Sequence, residues 1–159
     1  LYSLKIDHMK KLKTYVLIIS RYFPKTHLRA GEETKFIENI FWWWKIHTIR
    51  ENYPLWEKRI NEVNKGNAVL SLRYWEGKPR HSKQIEFLQL AKAGIEKLEF
   101  IDGDFNCMYV NNKHCFSTIE TSIAKNDGLS FDDFKNWFAD YDLTKPMAII
   151  HFTDFRYCG

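Results

Sequence analysis

Seven glycines and four prolines in 159 residues leave no Gly-rich or Pro-rich stretch, and no linker, low-complexity tract or internal repeat is visible. A Gly-x-x-x-x-Gly-Lys phosphate loop and a Gly-x-Ser-x-Gly elbow are both missing, which excludes P-loop nucleotide hydrolysis and elbow-type serine hydrolysis. Cysteine is scarce: Cys107, Cys115 and Cys158 are an odd set, unlike the paired framework of a small secreted domain, and read as reduced thiols in a cytoplasmic chain. They lack a Cys-x-x-Cys pair, so neither a metal nor another cofactor is expected. The longest apolar run near the start, residues 15–19 (YVLII), falls far short of the roughly 20 residues a membrane-spanning helix needs. Lys10, Lys11 and Lys13 precede it, but no small-residue cleavage site follows, so neither secretion nor a membrane partner is expected.

What is present suits one folded unit. Hydrophobic residues make up 45% and aromatic residues 16% of the chain, enough for a buried core and far from a disordered composition. Residues 1–8 precede the first methionine, Met9, and read as an expression remnant; residues 9–159 then form a single domain. The net charge of +4 permits a polyanionic partner without demanding one, and oligomeric state stays open.

Periodicity sketches the order of elements. Residues 13–21 (KTYVLIISR) are β-branched and apolar, a buried first strand. From Glu32, apolar residues recur every three or four positions through Phe41, as in an amphipathic helix, and run into Trp42, Trp43 and Trp44. Residues 45–50 (KIHTIR) alternate as a strand; Asn52 and Pro54 then open a helix through Val63, closed by Gly66. Strands are expected over residues 68–75, 83–90, 95–101 and 105–110, short helices over 117–125 and 130–141, and a closing strand over 147–153. Ser130 and Asp133 have capping-box spacing. This order argues for an α+β fold, a small β-barrel with flanking helices.

The densest polar cluster is Lys45, His47, Thr48 and Arg50, between the tryptophans and a helix. On a strand Thr48 and Arg50 share a face, and Lys45 joins them only if it lies in the turn before the strand or a bulge intervenes. A desolvated lysine beside a hydroxyl is a usable pair, because burial lowers the lysine pKa and lets it take a proton from a weak nucleophile. The same residues also suit the solvated surface of an edge strand.

The KIHTIR stretch resembles the signature of the ASCH domain family, PUA-like β-barrels associated with RNA or nucleotide recognition. Its pattern is Gly-x-Lys-x-x-Glu-x-Arg; Lys45 and Arg50 keep the spacing, Thr48 stands for the Glu and Trp43 for the Gly. The Lys-x-x-Thr-x-Arg variant is similar to the N4-acetylcytidine amidohydrolases, a branch in which the lysine, the threonine and a later glutamate remove an acetyl group from the exocyclic amine of cytidine. Aligning the helix that follows that acid with residues 129–139 (LSFDDFKNWFA) puts Asp127 in its place, one methylene shorter. The resemblance covers residues 14–21, KIHTIR and 127–155, and is weak over 51–113. It implies an RNA or nucleoside/nucleotide pocket at the barrel mouth. Alternatively, it implies an amidohydrolase with Lys45 as base, Thr48 as nucleophile and Asp127 delivering a proton to the leaving amine.

Further binding residues are read from composition. Lys25 and His27 lie in a basic, aromatic loop after the first strand and could contact a phosphate, although simple solvation is the better explanation of a lone lysine or histidine in a loop. Arg73 and Trp75 begin a stretch that interleaves aromatic and basic side chains, as an RNA groove or a solvated basic strand face would. Asn126-Asp127-Gly128 is also an ordinary turn before a helix. Three consecutive tryptophans cannot all face one way; Trp44, beside Lys45, is the expected exposed or pocket-lining ring, with the others in the core. A protein interaction module built on these rings is the third reading.

Overall fold

In the computed structural model, residues 11–158 are described, so the segment read as an expression remnant lies outside them. Seven strands form two sheets. Strand β1 (Lys13–Ile18) pairs in parallel with β3 (Ala68–Trp75), which pairs antiparallel with β4 (Gln84–Leu90). The second sheet is antiparallel, in the order β2 (His47–Arg50), β7 (Met147–His151), β5 (Gly94–Phe100), β6 (Met108–Val110). The class is α+β, as its element order implies; among the described residues no strand pairing joins the two sheets into a closed barrel.

Burial follows the sheet positions. Every residue of β7, flanked by β2 and β5, is buried, while β5 alternates strictly, with Gly94, Glu96, Leu98 and Phe100 inward. Among the described residues there are four α-helices: α1 (Phe36–Phe41), α2 (Tyr53–Asn64), α3 (Ile119–Asn126) and α4 (Phe131–Phe138). Helix α2 starts as its sequence dictates, with Asn52 accepting from the Leu55 N–H and Pro54 in the first turn, and sets Trp56, Ile60 and Val63 on one buried stripe. That stripe packs on β3 of one sheet and on β5 and β7 of the other, so one helix ties both sheets to a common core. Ser130 caps α4 by accepting from the Asp133 N–H at 3.1 Å, and Phe134 and Phe138 follow one turn apart, both buried.

Four local expectations change. The first helix begins at Phe36, not Glu32, because Lys35 takes a left-handed conformation (φ 61°) and Thr34 Oγ1 binds the Phe36 N–H while donating to the Ser20 carbonyl. The strand expected from Lys45 begins at His47, because the N–H groups of Trp44 and Lys45 both donate to the Asn39 carbonyl at the end of α1. Residues 105–107 are not strand; Asp104 Oδ1 accepts from the Asn106 N–H and turns the chain there. Cys115 and Cys158 are bonded as a disulfide with Cα atoms 5.4 Å apart, which corrects the reading of three reduced thiols and leaves Cys107 free. Their 43-residue separation hid a pairing that only the tertiary fold creates, and thiol chemistry no longer argues for a cytoplasmic setting. No helix among the described residues is long and apolar enough to cross a membrane.

Phe134 is fully buried and packs against Phe105 and Phe138. Phe134→Ala is expected to cost about 3–5 kcal/mol in urea unfolding; a loss below about 1 kcal/mol would show that α4 is not part of the core.

Candidate functional site

The turn that keeps Lys45 out of the strand also turns its side chain inward. Lys45 is only 2% exposed, and its Nζ donates to Asp127 Oδ1 at 2.9 Å and to the Asp127 carbonyl at 2.6 Å. Asp127 closes α3, with Gly128 in the left-handed conformation (φ 84°) that lets the chain leave the helix. A side chain there would press on Phe36 and Lys45, so Gly128 also permits the close approach. The Asn-Asp-Gly turn is therefore both a helix end and the seat of a buried carboxylate. The Ile46 N–H donates to the Asn126 carbonyl, and this backbone bond fixes the two segments against each other.

Thr48 and Arg50 share a face of β2, as the period of two requires. Arg50 Nη1 donates to Thr48 Oγ1 at 2.9 Å and to the Ile49 carbonyl at 2.9 Å, and Nη2 to the Ile18 carbonyl. Lys45, Thr48, Arg50 and Asp127 line one cavity of about 20 Å³, with Phe36 and Ser20 among its other walls. That is the room of a single water molecule. The cavity has room for a small group the size of a carbonyl oxygen and none for a base or a sugar.

Burial sets the proton chemistry. It pushes the Lys45 pKa below the usual lysine value in spite of Asp127. Burial alone would raise Asp127, but Lys45 and His47 outweigh it and hold the carboxyl below its ordinary value, hence ionised at neutral pH. Two of the three Lys45 ammonium hydrogens are taken by Asp127, which leaves one for a group in the cavity. The Phe36 ring lies 4.2 Å from Nζ, a cation–π contact that partly replaces lost hydration.

Behind the pair lies a buried polar network that the sequence reading passed over. His47 points away from Thr48, and its Nε2 meets the Tyr157 hydroxyl at 2.6 Å. The Asn126 amide donates to the same hydroxyl at 3.0 Å. His47 Nδ1 lies 3.5 Å from Asp127 Oδ1, too long for a good hydrogen bond. His151 packs edge-on against His47 and bonds Glu96, whose carboxylate also accepts the Tyr157 N–H. The segment MAIIHFT shows no apolar–polar alternation that would hint at this, because β7 is buried on both faces.

Other expected binding residues lie elsewhere. His27 does not reach a phosphate: it is 4% exposed, packs on Phe23 and lies 3.1 Å from the Asp133 carbonyl, because loop residues 23–31 fold back on α4. Lys25 is exposed and lines no part of the cavity. Arg73 is half-buried and tied to Ser71 and Gln84, and Trp75 is half-buried at the end of β3, so neither reaches Lys45. All three tryptophans are exposed, Trp42 at 70%, Trp43 and Trp44 at 68% each, correcting the expectation that two are core. The reason is local: α1 ends at Phe41 and Trp43 adopts φ 61°, so none of the rings turns inward and Trp44 lies outside the cavity.

No family model, no curated protein and no solved structure matches the chain.

His47 makes the network acid-sensitive. Burial pushes its pKa from 6.5 to about 4, despite the pull of Asp127, so the unfolded chain takes up this proton first. Stability is thus full above pH 6.5 and falls as pH drops toward 4, by about 3 kcal/mol from His47 alone. Denaturant unfolding at pH 7, 5.5 and 4.5 should show that slope in the wild type. His47→Gln should keep only the smaller part contributed by His151, whose pKa burial also lowers; an unchanged slope in His47→Gln would contradict the assignment.

Proposed function

We propose that the chain is an ASCH-like, PUA-like domain whose site holds an acylated nucleoside and hydrolyses the acyl amide at its exocyclic amine. The observation that carries this reading is the convergence of Lys45, Thr48 and Asp127 on one cavity, from segments about 80 residues apart in sequence. Two sheets gathered around one core support the fold assignment. The Lys-x-x-Thr-x-Arg resemblance supports the substrate class.

The chemistry runs through this chain's own groups. Lys45 rests as the ammonium paired with Asp127; burial eases loss of its third proton, and in that deprotonated form its amine takes the Thr48 hydroxyl proton as Oγ1 bonds to the acyl carbon. Arg50, whose guanidinium donates to Oγ1, holds the hydroxyl oxygen in place for the attack, while the negative charge develops on the acyl carbonyl oxygen. Lys45 passes the proton to the nitrogen as the carbon–nitrogen bond breaks, freeing the amine and leaving an acyl ester on Thr48. Water then cleaves that ester, releasing the carboxylic acid and restoring the hydroxyl. Asp127 stays ionised and orients Lys45, rather than supplying the leaving-group proton as the family resemblance implied.

Recognition without turnover is the second reading, a site for RNA or a nucleoside/nucleotide. The tight Lys45–Asp127 ion pair favours it, because a paired ammonium is a hydrogen-bond donor rather than a base.

N4-acetylcytidine incubated with pure protein should yield cytidine and acetate, read by chromatography. Lys45→Ala and Thr48→Ala should each lower kcat/KM by about 100-fold to 10,000-fold, while Thr48→Ser keeps measurable activity. Binding without product in the wild type would leave the recognition reading; neither binding nor product across a panel of N-acylated nucleosides would remove both.

A further inference from the structure

A cavity the size of one water cannot hold a base or a sugar, so the bulk of any nucleoside must rest on the surrounding surface. That surface carries a connected row of rings and cations. The Arg21 guanidinium lies 5.5 Å from the Tyr22 ring and 5.2 Å from the Tyr74 ring. Tyr74 meets Phe87 at 6.1 Å between centroids, and Phe87 meets Phe41 at 6.0 Å. Phe87 occupies the bulge in β4 where the β3 register shifts between Leu72 and Arg73, and this irregularity gives it a place in the row. Phe41 ends α1 and leads directly to Trp42 and Trp44, whose rings are 6.5 Å apart.

Two features say what covers this row. First, it is joined to two walls of the cavity along the chain. Ser20 lines the cavity and Arg21 opens the row; Phe36 lines the cavity at one end of α1 and Phe41 joins the row at the other. Second, its charge suits a polyanion. The turn joining β3 to β4 carries exposed Lys78, Arg80 and Lys83, none of which has an ion-pair partner among the described residues, against a single acid, Glu76. A protein partner for so many exposed rings needs no such cations, whereas a nucleic-acid strand needs both: rings for its bases and cations for its phosphates.

We infer that the row of Tyr22, Arg21, Tyr74, Phe87 and Phe41, with the Trp42–Trp44 pair, is a stacking platform for single-stranded nucleic acid. The group that enters the cavity then belongs to one base of an unpaired strand, and neighbouring bases stack on the row. This rests on the nucleoside reading of the site, and deepens it by naming the polymer. Duplex is excluded because its bases are already stacked on each other and cannot lie on protein rings.

Fluorescence anisotropy with a labelled eight-nucleotide RNA tests it, with the same sequence as a duplex for comparison. The wild type should bind the single strand at least tenfold more tightly than the duplex, and quench tryptophan fluorescence as it does so. Tyr22→Ala and the double variant Trp42→Ala/Trp44→Ala, all exposed positions, should each weaken the strand about tenfold or more, with far-UV circular dichroism unchanged. Lys78→Ala/Arg80→Ala should reduce the salt dependence by about two phosphate contacts. Three results would overturn the inference: strand affinity indifferent to the ring variants, equal affinity for duplex, or no strand binding together with self-association that Trp42→Ala/Trp44→Ala abolishes. The site reading fails separately. If the ring variants weaken the strand while N-acylated nucleosides neither bind nor react, the platform stands and the cavity chemistry falls.

Discussion

A lysine ammonium placed out of reach of water is the constraint on which the rest of this structure depends. Removing such a charge from water costs several kcal/mol per ion unless an opposite charge and further hydrogen bonds replace the lost hydration. Asp127 supplies both, through its carboxylate and its own carbonyl, and Phe36 adds a ring face. Each of those groups is fixed by a local decision of the chain. Lys45 is held by the Asn39 carbonyl at the end of α1, Asp127 by the end of α3, and Phe36 by the left-handed turn at Lys35. The pair thus joins residues 82 positions apart, and three helix ends are needed to make it.

The same interaction defines what the site can do. It orients one lysine proton toward a cavity too small for anything but a carbonyl-sized group, beside a threonine already held by a guanidinium. It also imposes a division of labour. Charge-neutralising contacts lie deep, where the dielectric is low and they are strongest, while the rings suited to a larger ligand lie outside, on α1, β3 and β4. The buried histidines, Tyr157 and Glu96 form a hydrogen-bonded backing behind Asp127, tied to α3 through Asn126, and the disulfide next to Tyr157 fastens that backing to the loop after β6.

Much of this was legible in the sequence where local chemistry decides. The β3 strand, the helix opened by Asn52 and Pro54, and the Ser130 cap follow from residue type and spacing alone. Lys45 and Thr48 stood out in the polar KIHTIR cluster and Asp127 only through the family resemblance, and only the fold puts them on one cavity. The failures have two causes. His27 and the Cys115–Cys158 pairing depend on which distant segment a residue meets, of which its neighbours in sequence carry no trace, whereas Trp42 and Trp43 turn on where a short helix stops. His27 is buried because α4 lies over its loop, and the tryptophans are exposed because α1 stops one residue before them. The buried His47–His151 network was invisible because a fully buried strand has no alternation to betray which side chains are polar partners.

The most direct test of this account is a double-mutant cycle on the buried pair, with Lys45→Met, Asp127→Leu and the two combined, read by urea unfolding at pH 7. Each single change strands an unpaired charge and should destabilise by about 3–5 kcal/mol, whereas the combined change leaves an apolar contact and should cost at least about 2 kcal/mol less than the sum. Additive losses, within about 0.5 kcal/mol, would mean that Lys45 and Asp127 do not meet in the folded protein, and the site built on their pairing would not exist.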